Sequence, residues 1–188
     1  MEFTESSWPR RTERLTVRPL TEADLDAMFA YRSQPAVYEW IGRAYTDPAA
    51  FRERMLTLFA DPALLNLAIE LDGALVGDAF LKLTDGWAQD DLAPARRSQA
   101  EFGYAIDPGY AGRGFATEVS RELIRIAFTE LGLRRLTAGC FADNQASRRV
   151  LEKAGLRLEA VTRKECLHRD RGWLDGCLFA ILAEEWTG

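Results

Sequence analysis

The chain has 188 residues, 47% of them hydrophobic and 28% charged, which suits one core of ordinary size and excludes a large multidomain assembly. Its 24 Lys and Arg stand against 29 Asp and Glu, and the net charge of −5 argues against a nucleic-acid partner while suiting a cationic acceptor such as an amine. No apolar run approaches the about 18 residues of a membrane span, and the opening MEFTESSWPRR lacks the apolar centre of a signal peptide; a cytoplasmic protein with no membrane partner is expected. Residues 1–188 are read as a single domain, with residues 1–13 as a peripheral amino-terminal segment.

From the amino terminus, Arg14 to Arg18 alternate like a strand and stop at Pro19. Thr21 then opens a helix, with Asp24 closing a capping box and Leu25, Met28 and Phe29 as the apolar stripe, and this helix ends before Pro35. Residues 37–42 (VYEWIG) are not periodic enough to assign. Asp47-Pro48 caps a second helix with Phe51, Met55, Leu58 and Phe59 on one side. Asp72-Gly73 joins two strands in a hairpin. Residues 84–100 are polar and aperiodic, a loop of the length that commonly overhangs a site; Asp85, Asp90 and Asp91 beside Trp87 suit a positively charged acceptor, or a wet face.

Residues 101–118, EFGYAIDPGYAGRGFATE, carry the densest information. Phe102, Tyr104 and Ile106 share one face of a strand, Asp107-Pro108-Gly109 turns the chain, and Gly112-Arg113-Gly114 opens a helix running from about Phe115 to Leu131. Two glycines ahead of a helix let successive N–H groups point into the loop mouth, and the positive end of the helix dipole adds to them; the ligand this suits is a diphosphate. A P-loop would require Lys and Ser or Thr where Phe115 and Ala116 stand. A dinucleotide fingerprint would place a small residue at Thr117, would lie tight against its strand, and would be followed by an acidic residue about 20 positions on. The first fails on residue identity and the second on spacing, which also removes a nicotinamide-dependent oxidoreductase.

Arg135 to Phe141 form a further strand, Asn144 precedes a helix ending at Gly155, and the remaining residues make a long hairpin turning at residues 169–172. The pattern is α/β: a mixed, mostly antiparallel twisted sheet with helices on both faces. Cys140, Cys166 and Cys177 are odd in number, with no C-x-x-C and a single His168, so they are read as reduced packing residues with no metal site. His168 is expected to be solvated in its charged turn, and Trp40, Trp87 and Trp173 to line an acceptor cleft or simply to pack.

The loop GYAGRGFATE, followed by residues 144–155 (NQASRRVLEKAG), resembles the GNAT N-acetyltransferase superfamily, and within it the ribosomal-protein N-terminal acetyltransferases; the resemblance runs over nearly the whole chain. It implies a central splayed strand pair, with acetyl-CoA as co-substrate and its pantetheine arm in the gap. Tyr104, Ala105 and Ile106 would lend backbone hydrogen bonds to the arm, Gly112, Arg113, Gly114, Phe115, Ala116 and Thr117 would hold the diphosphate, and Asn144 would bond the arm from the other side. The pattern departs at Ala111, which stands in place of a bulkier loop residue, and at Leu151, where many members carry a tyrosine acid; in the ribosomal branch a serine three residues after the asparagine can take that role, and Ser147 stands there. Acetyl transfer needs a neutral amine, so some group must accept a proton, and Glu101 at the start of the central strand suits this, directly or through water. A plainer reading leaves Glu101 as an exposed strand-end charge and Ser147 as a capping residue. The expected activity is direct transfer to a primary amine, on a protein N-terminus or a small molecule, by a protein that the resemblance suggests is a homodimer. The alternative is a catalytically silent acyl-CoA-binding sensor or assembly module.

Overall fold

The computed structural model describes residues 8–188; residues 1–7, part of the amino-terminal segment read as peripheral, lie outside the described residues. Eight strands form one sheet in the order β1-β2-β3-β4-β5-β6-β8-β7. They are β1 (Arg10–Arg11), β2 (Thr16–Pro19), β3 (Leu64–Leu71), β4 (Ala74–Thr84), β5 (Gln99–Ile106), β6 (Arg135–Phe141), β7 (Arg157–His168) and β8 (Gly172–Leu182). Neighbours pair antiparallel except β5 and β6, which run parallel. The mixed, mostly antiparallel sheet read from the sequence is the one found.

The two faces of the sheet are covered by different helices, and the strand alternation dictates which residues meet them. On one side Leu67, Ile69, Leu81 and Phe102 pack under α4 (Phe115–Arg125) and α5 (Gln145–Ala154), against Val119, Leu123 and Leu151. On the other, Ala68 and Ala105 are small, and this lets α1 (Leu25–Arg32) and α3 (Pro48–Phe59) come close with Met28, Tyr31, Phe51 and Met55. Complete burial of each large side chain contributes about 1.5–3 kcal/mol. The unassigned stretch 37–42 begins in a short helix, α2 (Pro35–Tyr38), started by Pro35 at its first position.

Local chemistry explains the element ends. Thr21 and Asp24 close the expected capping box, and Arg18 adds a forked ion pair to Asp24 while also reaching Glu70. The Asp47 side chain accepts from the Ala49 N–H at 3.0 Å to start α3. Beyond α4 the chain continues through a wider turn over Ile126–Glu130, with Ile126 and Ala127 buried, before Gly132 breaks it.

Two expectations need correction. Residues 85–98 do not overhang a cleft: the Gly86 N–H donates to the Ala95 carbonyl at 2.7 Å and the Arg97 N–H to Asp85 Oδ1 at 2.8 Å, so the loop folds on itself and leaves Trp87 90% exposed. His168 is buried, at 3% exposure, because the β7–β8 turn folds back over residues 38–42. Its ring lies edge-on between Trp40 and Phe141, and Arg169 fastens the turn by donating to the carbonyls of Tyr38 and Ile41.

Candidate active site

The parallel pair β5 and β6 stays joined only from Gln99↔Arg135 to Glu101↔Thr137. Beyond that the strands part, although β5 continues to Ile106 and β6 to Phe141. The inner edges of Tyr104, Ala105 and Ile106 therefore face a gap rather than a neighbouring strand, and a cleft of about 920 Å³ opens there. Backbone groups lining a gap must find partners, so this opening offers hydrogen bonds to an extended polar guest.

At the mouth of the cleft, Gly112 and Gly114 adopt positive φ of 75° and 83°, and Gly114 caps α4. A Cβ built on Gly112 meets nothing within 4 Å, so that face of the loop is open. The N–H groups of Phe115, Ala116 and Thr117 belong to the first turn, whose donors lack partners within the helix. Oriented donors at a helix amino terminus suit a phosphate, and in this respect the residues present fit the diphosphate of acetyl-CoA. Arg113, which the resemblance places among the diphosphate-holding residues, turns its guanidinium over the Tyr110 ring at 5.2 Å and does not line the cleft. Arg14 does more for the loop's shape. It donates to the Arg113 carbonyl at 2.9 Å, pairs with Glu118 of α4, and lies over the Phe115 ring at 4.7 Å.

Along one wall, α5 begins at Asn144, whose Oδ1 accepts from the Ser147 N–H at 3.0 Å. Asn144 is thus the cap and also lines the cleft, and the Ser147 side chain is free from capping. The Ser147 hydroxyl lies 3.1 Å from the Tyr104 hydroxyl. Burial pushes the Tyr104 phenol up to about 12, so it stays protonated at neutral pH and can donate to Ser147. Burial likewise raises the Cys140 thiol, on β6 beside the same serine, to about 11, which keeps it a poor nucleophile. Leu151 is 1% exposed and closes the wall.

Opposite this wall, a platform of alternate strand residues forms the floor. Asp78, Phe80 and Lys82 of β4 stand across from Ala105, Gly103 and Glu101 of β5. Glu101 is exposed and Phe102 buried, as the alternation requires. A Cβ on Gly103 would fall 2.5 Å from a Phe80 ring carbon, so the glycine is what lets that ring lie across β5. Met28, Val37, Trp40 and Met55 roof the platform. Of the tryptophans considered, only Trp40 lines the cleft; Trp173 is 56% exposed on the hairpin, and neither Trp87 nor the acids 85, 90 and 91 reach it.

Splayed strands, a glycine loop on a helix amino terminus and a capped second helix are therefore one connected cleft, and comparison with known proteins gives the family of the chain that carries it. The family described as Acetyltransferase (GNAT) domain matches residues 14–157. The chain belongs to the GNAT acetyltransferase family. Among its relatives, the uncharacterized N-acetyltransferase YoaA of Bacillus subtilis is 33% identical over 153 residues, 81% of this chain and 85% of that protein. YnaD of the same organism, also an uncharacterized N-acetyltransferase, is 36% identical over 87 residues; that match spans about half of YnaD's length. The structure of Mycobacterium smegmatis RimJ in complex with CoA-disulfide superposes with a TM-score of 0.81 at 26% identity, covering 96% of this chain and 91% of that one.

For this GNAT acetyltransferase, the sequence located the strand, loop and cap but missed two side chains that meet Ser147. The resemblance assigns Tyr104 only backbone hydrogen bonds, although its place on the same face as Phe102 is the signal that its phenol turns toward α5. Cys140 carried no local signal, because only the splay of β6 brings it to the cleft. The acids at the two ends of the platform, Glu101 and Asp78, lie on neighbouring strands and share one face only through register. Among the described residues no group of three or more His, Cys, Asp or Glu could hold a metal ion, and no helix is long and apolar enough to cross a membrane.

Proposed function

We propose that this acetyltransferase uses acetyl-CoA and transfers the acetyl group directly to a primary amine bound on the β4–β5 platform. The observation that carries the reading is the position of the Ser147–Tyr104 hydroxyl pair, 3.1 Å apart, at the gap between β5 and β6, in the same cleft as the Gly112–Gly114 loop. Acetyl-CoA supplies a thioester carbonyl open to attack and a thiolate that must be protonated as it leaves. Gly112, Gly114 and the N–H groups of Phe115, Ala116 and Thr117 hold the diphosphate, with Arg113 at the outer rim. The edges of Tyr104, Ala105 and Ile106 and the Asn144 amide hold the arm.

Glu101 takes a proton from the amine through intervening water, so that the nitrogen lone pair is free to attack. The C–N bond forms as the C–S bond breaks, the Ser147 hydroxyl gives its proton to the departing sulfur, and the second proton that the nitrogen sheds on becoming an amide passes through water to restore the serine hydroxyl. Tyr104, held protonated by burial, donates to Ser147 and offsets the charge developing there. No covalent acyl-enzyme is needed, and Cys140 with its raised thiol pKa is poorly suited to form one. Residues 1–188 act as a single domain in this reading, the protein works as a cytoplasmic enzyme, and the homodimer remains part of the proposal.

Thiol release from acetyl-CoA, measured over amino acids, amino-terminal peptides, aminoglycosides and polyamines, tests the reading beside calorimetric CoA binding. Turnover on one acceptor class that is lost in Glu101→Gln or Ser147→Ala, with CoA still bound, is the expected result. CoA binding with no turnover on any amine would instead point to a silent acyl-CoA-binding module. Absence of CoA binding would contradict both.

A further inference from the structure

The far end of the platform contains a charged group that acetyl transfer itself does not use. Asp78 is 3% exposed, and its carboxylate accepts from the Tyr31 hydroxyl at 2.6 Å, from Arg32 Nε at 2.8 Å, and from Arg32 Nη2. Its charge is therefore spent on α1. Arg32 lines the cleft with its side chain about a fifth exposed, and Nη1 has no partner among the described residues while remaining open to solvent. A guanidinium locked by a buried carboxylate on one edge presents donors on the other, in a fixed fork. What it presents to the cleft is positive charge without freedom to swing away.

The position gives this edge a purpose. Asp78 stands opposite Ala105, one residue beyond the Tyr104 position where β5 faces the gap, so the Arg32–Asp78 pair holds the end of the platform nearest the gap. Glu101 stands four positions back from Ala105, roughly 13 Å away. The wall between is apolar, from Met28, Val37 and Trp40. A second ammonium at this end would meet a guanidinium whose counter-charge is already used. A carboxylate would meet free, oriented N–H donors beside an apolar wall, where charge-assisted bonds are strong.

Resting on the transferase reading above, we infer that Arg32 selects the acceptor: the amine substrate carries a carboxylate close to its nitrogen, as an amino acid with an apolar side chain does, and a polyamine is disfavoured. Lys82, the other cation lining the platform, sits opposite Glu101 at the distal end and is not the recognising group. The same carboxylate chemistry could come from a free amino acid or from an acidic side chain near a peptide amino terminus, and the acceptor panel separates these sources.

The test compares leucine with leucinamide, which match in size, on the full-length protein. It adds peptide amides with and without an acid at the second position, and spermidine. Two readouts are taken: kcat/KM for thiol release, and calorimetric binding of each amine to the protein saturated with CoA. The amide has the less basic amine, a bias against the expected result. Leucine is expected to exceed leucinamide and spermidine by at least about tenfold in both readouts, roughly one good charge-assisted bond. In the double variant Arg32→Gln/Asp78→Asn, which avoids leaving a buried carboxylate unpaired, the ratio is expected to fall to within about twofold with CoA affinity unchanged. Lys82→Met is expected to keep the ratio. Preference for acidic peptide amides over leucine would assign the carboxylate to a protein acceptor and still support Arg32 as its reader. Equal or better use of leucinamide or spermidine, a ratio that survives the double variant, or no saturable binding of any carboxylate-bearing amine would overturn the inference. Selective carboxylate binding without thiol release would leave it standing while contradicting the transferase reading.

Discussion

Arg14 is predicted to set the affinity for acetyl-CoA without touching it. The residue belongs to the segment before β2, far in sequence from the loop, yet it donates to the Arg113 carbonyl at 2.9 Å and through Nε to Glu118 at 2.8 Å. Replacing it with Ala removes the carbonyl bond, about 1 kcal/mol, an ion pair that is 42% exposed on the Arg side and so contributes ~0.2–1 kcal/mol, and a cation–π contact with Phe115 of ~0.5–1 kcal/mol. The sum is about 2 kcal/mol, or a fall in Tm of ~4–8 °C for a chain of this size. The carbonyl bond alone fixes loop shape, so acetyl-CoA KM should rise about fivefold while kcat holds. Arg14→Lys should recover part of the Tm but little of the KM, because an ammonium cannot serve Glu118 and the Arg113 carbonyl as a fork. Burial pushes the Glu118 carboxyl up, but bonds from Thr12, the Arg14 N–H and the Arg14 guanidinium outweigh it and hold the group below 4.5. That stabilisation is present above 4.5 and is lost as pH falls through the lowered value, so the Tm gap between wild type and Arg14→Ala should narrow in acid. An unchanged KM in Arg14→Ala, with Tm lowered as expected, would refute the link from Arg14 to the loop.

Other predictions follow from the same contacts. Ser147→Ala should lower kcat by ~10²–10³ with acetyl-CoA KM within about threefold, and Tyr104→Phe should lower kcat by roughly tenfold, both by steady-state thiol release. Because Tyr104 is pushed up to about 12, the wild-type rate should show no loss assignable to its ionisation below about pH 11, read from the basic limb of the pH–rate profile. Asp24, drawn down to about 2 chiefly by its bond to Arg18, contributes stability present above 3.8 and lost as pH falls through about 2; Asp24→Asn should cost about 2 kcal/mol at pH 7 in urea unfolding and only about 0.4 kcal/mol at pH 2. Gly103→Ala should displace the Phe80 ring, lowering kcat/KM for the amine about tenfold at unchanged CoA affinity, as measured by initial rates and calorimetry.

Much of this arrangement was legible because it depends on local rules. Alternation placed Glu101 and Phe102 on opposite faces, Asp72-Gly73 closed the first hairpin, and the two loop glycines adopt the left-handed conformation that the diphosphate reading requires. What stayed hidden depends on tertiary approach. His168 lies in a charged turn and so reads as solvated; only docking of that turn on Tyr38 and Ile41 buries it. Residues 84–100 read as a lid, yet backbone bonds within the loop outcompete any reach toward the cleft. The Ser147–Tyr104 pair joins residues 43 positions apart, and the Arg32–Asp78 pair 46, distances over which periodicity carries no information.

The central claim is that the gap between β5 and β6, with the Gly112–Gly114 loop at its mouth, holds acetyl-CoA so that its thioester meets Ser147. A crystal structure with bound CoA tests it most directly. The account predicts diphosphate oxygens within hydrogen-bond distance of the N–H groups around Gly112 to Thr117, the arm along Tyr104 to Ile106, and the sulfur beside the Ser147 hydroxyl. CoA bound elsewhere, or with its sulfur away from Ser147 and Tyr104, would contradict it.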